Sequence, residues 1–223
     1  ARQRAEREAA EARARAAACV NNMKQLNLAF LLYTNNNSGW FCFQGAGTLI
    51  QMAANGQLEG IDVTRQSDGF FNCPASQTAR DSNGDVDQNW SYGTIRNICV
   101  PAVRSQMTQS GSVKQYFVSI ENLENPSLVP MVVDTGKSMA QTAHAEYNVQ
   151  AWLWYGETAQ VGGGGLMKAW HTPDMINTAF VDGRVAATAP AEFNDVIRNG
   201  LNGTYRYMVY VNPDGAKKRY TTK

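Results

Sequence analysis

The chain lacks any run of about 18 apolar residues, so no segment is expected to cross a membrane as a helix. It also lacks the basic, apolar and small-residue series of a secretory signal near Ala1. An excess of one charge is missing as well. With 20 Lys and Arg against 19 Asp and Glu, the formal charge is +1, and nothing points to nucleic acid or an anionic surface as a partner. Histidine is scarce, limited to His144 and His171, and no Ser, His and acid grouping or paired carboxylate stands out by spacing. The expectation is therefore a protein that is not an enzyme. Gly162-Gly163-Gly164-Gly165 lacks the Lys-Ser/Thr pair of a phosphate loop and reads as a flexible connection.

Cys19, Cys42, Cys73 and Cys99 are far apart, and none has the short paired spacing of zinc or thioredoxin-type motifs. No metal centre is expected from them. An even count points to two disulfides and an extracytoplasmic compartment, although buried thiols in a cytosolic protein would give the same sequence. Three pairings are open.

What is present suits one main folded domain, since hydrophobic residues make up 43% of the chain and 19 glycines supply turns. Residues 1–18 contain only Ala, Arg, Glu and Gln, with i,i+4 pairs such as Arg2/Glu6, Arg4/Glu8 and Arg7/Glu11, and read as an exposed charged helical stalk. From Cys19 the pattern changes. Cys19, Met23, Leu26, Phe30 and Tyr33 fall on one side of the same helix, which should end near Asn35 at a left-handed cap within Asn36-Asn37-Ser38-Gly39. Residues 48–54 read as a small helix, and 60–93 as a long decorated loop.

Short β-rich runs follow at 115–120, 129–134 and 149–155. Asn177 to Thr188 should form a hairpin around a two-residue type I′ turn at Asp182-Gly183. Residues 190–199 read as a short helix started by Pro190, and the chain should close in a second hairpin about Asn212-Pro213-Asp214-Gly215. The expected architecture is α+β: a long N-terminal helix packed on an antiparallel sheet with long loops and a C-terminal hairpin. Residues 19–189 would form the globular domain and 190–223 its extension.

The segment from Cys19 to Tyr33 resembles the stretch after the hydrophobic helix of bacterial pilin-like proteins, in particular the prepilin-type processing-associated group akin to type II secretion pseudopilins. Further elements resemble that family in order: Phe71-Asn72-Cys73-Pro74, Ser91-Tyr92-Gly93, Asn125-Pro126-Ser127 leading to Asp134, and a terminal signature met by His171, Asn177, Phe180, Asp182, Gly183 and Val185. Arg184 stands where the family has a second His, and one extra residue separates His171 from Asp182. The resemblance implies a pilin-like fold and a membrane-anchored precursor cleaved by a prepilin peptidase. Its hydrophobic helix would lie outside this chain. The implied partners are other pilin-like subunits and secretion-system proteins, with the domain in the periplasm or at the cell surface. Motif position favours a Cys19–Cys73 disulfide, leaving Cys42 with Cys99.

Within this picture His171 is expected to hold the terminal loop by a hydrogen bond to Asp182 or to backbone rather than to bind metal. No cofactor is expected. Calcium is the one ion left open, because Asp81, Asn83, Asp85 and Asp87 alternate oxygen ligands. However, Val86 stands where an EF-hand needs Gly and Tyr92 where it needs Glu, which favours a solvated loop. The alternative function is an extracellular carbohydrate- or ligand-binding module using Trp152 and Trp154, on one strand face, together with the Gly162–Gly165 loop. A secreted hydrolase is a third reading, and it requires a nucleophilic or acidic cluster near His171.

Overall fold

The computed structural model describes residues 2–42, 56–57, 73–75, 92–96, 109–110, 113–114, 117–123, 125–136, 150–152, 166–193, 207–214 and 216–221. Helix α1 (Arg2–Asn36) is a single rod of 35 residues, about 52 Å long at 1.5 Å per residue. Its first half is held by local terms alone. Ion pairs Arg2–Glu6, Arg4–Glu8 and Arg7–Glu11 each close at 2.8 Å on the surface, and residues 2–14 are exposed. Its second half docks: Cys19, Met23, Leu26, Phe30 and Tyr33 are buried, joined by Asn27, Ala29 and Thr34. That is the stripe expected from the i,i+3/i+4 spacing.

The helix ends where its last carbonyls find other donors. Thr34 Oγ1 donates to the Phe30 carbonyl at 2.7 Å and Asn37 Nδ2 to that of Tyr33 at 2.7 Å. Ser38 and Gly39 then take positive φ, which brings the Gly39 N–H to the Thr34 carbonyl at 2.9 Å.

Twelve strands are described: β1 (Trp40–Cys42), β2 (Tyr92–Arg96), β3 (Gln109–Ser110), β4 (Val113–Lys114), β5 (Phe117–Ser119), β6 (Pro130–Gly136), β7 (Gln150–Trp152), β8 (Leu166–Lys168), β9 (Ile176–Phe180), β10 (Val185–Thr188), β11 (Tyr207–Val211) and β12 (Lys217–Thr221). The main sheet has the order β10-β9-β6-β8-β11-β12, with β2 also pairing with β6 and with β7. Most pairs are antiparallel, as expected, but β11 runs parallel to β8 and β7 parallel to β2. The purely antiparallel sheet is thus corrected. Between β8 and β11 the chain makes the β9–β10 hairpin, so β11 returns to the sheet alongside β8 in the same direction. β1 with β5, and β3 with β4, form two separate ribbons. The fold class is α+β.

The β9–β10 hairpin forms in the expected place with a different turn. Gly183 has φ 90, Asp182 does not have positive φ, and the Gly183 N–H bonds the Phe180 carbonyl at 3.0 Å. Phe180 N–H in turn bonds the Arg184 carbonyl at 2.8 Å, which leaves a three-residue loop, Val181-Asp182-Gly183, instead of a two-residue type I′ turn. Val181 explains the extra residue. It is buried and its N–H is drawn to the Val129 carbonyl at 3.0 Å, away from the hairpin ladder.

α1 lies against β9, β6, β10 and β1. One core joins its stripe to Val129, Met131, Val133, Met167, Ile176, Ala179 and Phe193. The C-terminal hairpin β11–β12 is present and extends the main sheet. The helix expected at 190–199 is described only as the 3-10 turn Pro190–Phe193. The helix expected at 48–54 lies outside the described residues, as do Asp81, Asn83, Asp85 and Asp87. No described helix is long and apolar enough to cross a membrane.

Candidate functional site

The chemistry-bearing side chains gather where the docked half of α1 meets β6 and β9. Cys19 is the first fully buried residue of the helix stripe, at the point where the alanine- and charge-rich half ends. Cys73 sits at the Cys-Pro turn, and His171 in the short loop between β8 and β9. Their ligand atoms all lie within 4.8 Å of one another, and Cys73 Sγ is 3.0 Å from His171 Nε2. Both cysteines are buried completely, while His171 is half-buried at the edge of the group.

Three polar groups surround Cys19. Tyr92 Oη donates to its sulfur and to its backbone carbonyl, both at 3.3 Å, and Asn177 Nδ2 reaches the sulfur at 3.6 Å. The Cys19 thiol points to Asp134 Oδ1 at 3.5 Å. Asp134 is wholly buried, and its Oδ2 meets no hydrogen-bond partner among the described residues. Burial, and then the Cys19 sulfur, push the Asp134 carboxyl well above the usual carboxylate range, against a smaller opposing pull from the Asn177 amides. The hydrogen bond with Cys73 and burial raise the Cys19 thiol, and burial raises the Tyr92 phenol.

Cys19 and Cys73 are neighbours, as the motif-based pairing expects, but they stand as thiols and not as a disulfide. The expected Cys42–Cys99 pair falls outside the described side chains. His171 faces Cys73, not Asp182; the Asp182 carboxylate is exposed and instead accepts the Arg184 N–H of its own turn at 3.0 Å. Of the two expected loop-holding bonds, to Asp182 or to backbone, the one to Asp182 is not made. The terminal signature divides in two: His171 and Asn177 belong to the thiol group, whereas Phe180, Asp182 and Gly183 build the hairpin end. There the Arg184 guanidinium lies 3.9 Å over the Phe180 ring. Trp152 is described only in its backbone within β7, and Trp154 and the four glycines lie outside the described residues.

Spacing along the chain did not reveal this group, since Cys73 and His171 are 98 positions apart. A signal was nevertheless present. Cys19, the Cys-Pro turn, Tyr92 of the Ser-Tyr-Gly element, Asp134, and His171 with Asn177 of the terminal signature come from five separate segments of the motif series, and in the fold they meet around one sulfur.

Chemically, the site can hold a cation or exchange thiol for disulfide. A Cys–His pair is also the start of a nucleophilic dyad, but Cys73 has no exposed surface from which to meet a substrate carbonyl. Comparison with family models, curated proteins and solved structures found no match.

Proposed function

We propose that the chain is the soluble part of a pilin-like, pseudopilin subunit that works by assembling with further copies and with secretion-system proteins, outside the cytoplasm. The observation that supports this reading is the division of α1. One half is fixed to the sheet by a buried stripe, and the other is a charged rod exposed over residues 2–14. A rod held by surface ion pairs contributes little to the stability of the head it extends from, so its length suits contact with something else. Leu28 and Leu32 add to this. One turn apart on the docked half, they are 58% and 45% exposed, on the side of α1 away from the sheet. A second copy of α1 laid alongside would cover them.

The test is photo-crosslinking in cells that express the full gene, with a benzophenone amino acid at Glu8, Arg13 or Leu28. Self-crosslinked ladders at these positions, and loss of those from Glu8 and Arg13 in the Leu28→Glu, Leu32→Glu double variant, are the expected result. Absence of crosslinks at all three would overturn the assembly reading. So would a coding sequence upstream of Ala1 without a prepilin cleavage site and an apolar helix.

A further inference from the structure

We propose that Cys19, Cys73 and His171 form a binding site for one thiolate-preferring metal ion of the zinc class, which clamps α1 to the sheet. The proposal is independent of the assembly reading. Two sulfurs and one imidazole nitrogen are the donor set that a borderline-soft d10 ion selects. With metal–sulfur bonds of about 2.3 Å and metal–nitrogen bonds of about 2.0 Å, a tetrahedral site has ligand–ligand edges of roughly 3.5 to 3.8 Å. Mutual separations within 4.8 Å place the three donors around such a volume, and the 3.0 Å Cys73–His171 approach has to open by about half an ångström. Rotation of two side chains supplies that shift.

The surroundings match what a bound thiolate requires. Tyr92 Oη at 3.3 Å and Asn177 Nδ2 at 3.6 Å both aim a proton at the Cys19 sulfur, as the outer shell of a metal-bound thiolate does. Asp134 Oδ1 stands 3.5 Å from the same sulfur, about one sulfur–oxygen edge of a tetrahedron. Its Oδ2 is buried and has no hydrogen-bond partner among the described residues, so a carboxylate with spare acceptor capacity stands beside the Cys19 donor. A disulfide between the same cysteines would use neither the imidazole nor these donors. Binding balances simply: the divalent ion replaces the two thiol protons, which leave to solvent, and His171 coordinates as neutral imidazole.

The experiment uses the reduced 223-residue chain under anaerobic conditions, titrated with cobalt(II) and then with zinc(II). Expected are one equivalent of cobalt, thiolate-to-cobalt charge-transfer absorption, intense tetrahedral visible bands, and displacement of all three by zinc. Cys73→Ser and His171→Gln should each weaken binding by at least about tenfold, while a Cys42→Ser, Cys99→Ser double variant should retain it. His171 is half-buried in a loop, so the His171→Gln variant keeps the fold if Cys73→Ser does not. Zinc should raise the melting temperature of the parent chain by more than that of His171→Gln at the same concentration. Failure of the folded, reduced chain to bind cobalt would overturn the proposal. So would binding undiminished in His171→Gln, or recovery of a Cys19–Cys73 disulfide peptide as the sole form from the native compartment.

Discussion

Asn27 Nδ2 donates to the Phe180 backbone carbonyl across 3.0 Å, tying the middle of α1 to the last residue of β9. Both partners are buried, and Asn27 is only 1% exposed. A helix laid on a sheet by apolar contacts alone can slide by a turn; one amide fixed to one carbonyl selects a register. The same carbonyl accepts the Gly183 N–H at 3.0 Å, so the contact also fixes the start of the hairpin loop. Asn27→Ala removes one of two donors to this buried carbonyl and should cost about 0.5–1.5 kcal/mol in urea unfolding. A change within experimental error would mean that the apolar stripe alone sets the docking.

The two halves of α1 should respond to substitution in opposite ways. Phe30 is fully buried, and Phe30→Ala is expected to cost about 3–5 kcal/mol through lost burial and the cavity left behind. Arg7→Ala breaks an exposed i,i+4 pair and should leave the unfolding midpoint unchanged, as should removal of residues 2–14. A marked fall in midpoint on trimming 2–14 would show that the rod supports the head.

Gly183 adopts φ 90, and a Cβ there would meet Leu31 Cδ1 at an ordinary 3.6 Å. Space is therefore not the constraint; backbone conformation is. Gly183→Ala should cost about 1–2 kcal/mol, and Gly183→Asn less, because Asn tolerates left-handed φ better. Equal losses for the two, read from thermal unfolding, would point to the side-chain contact instead.

Local periodicity made the helix stripe and the hairpin legible, because both depend on residues within a few positions of one another. Cys19, Met23, Leu26, Phe30 and Tyr33 needed only helical spacing to be placed on one face. The turn at Asp182-Gly183 was legible as a turn but not in type, since its extra residue depends on Val181 being pulled to Val129 from a distant segment. β2 and β8 escaped notice because each is brief and bordered by turn formers, and their partners are remote strands. The thiol group was invisible to spacing for the same reason. Cys19, Cys73 and His171 acquire a common chemistry only when helix, turn and loop converge.

Asp134 makes the stability of the reduced, metal-free chain depend on pH. Burial raises its carboxyl in the folded state above the value of about 3.9 that it has in an unfolded chain. Between those two values the native state holds a proton that the unfolded state has released, so stability falls as pH rises. Its contribution is complete below about pH 4 and is lost as pH climbs through the folded-state value. Asp134→Asn keeps the shape and removes the titration. Relative to the parent, this variant should gain stability with increasing pH, by up to about 1.4 kcal/mol per unit within the window. Urea unfolding of both proteins from pH 4 to pH 8 measures the difference directly. Parallel profiles would mean that Asp134 is ionised in the fold, with its buried oxygens matched by a donor or cation.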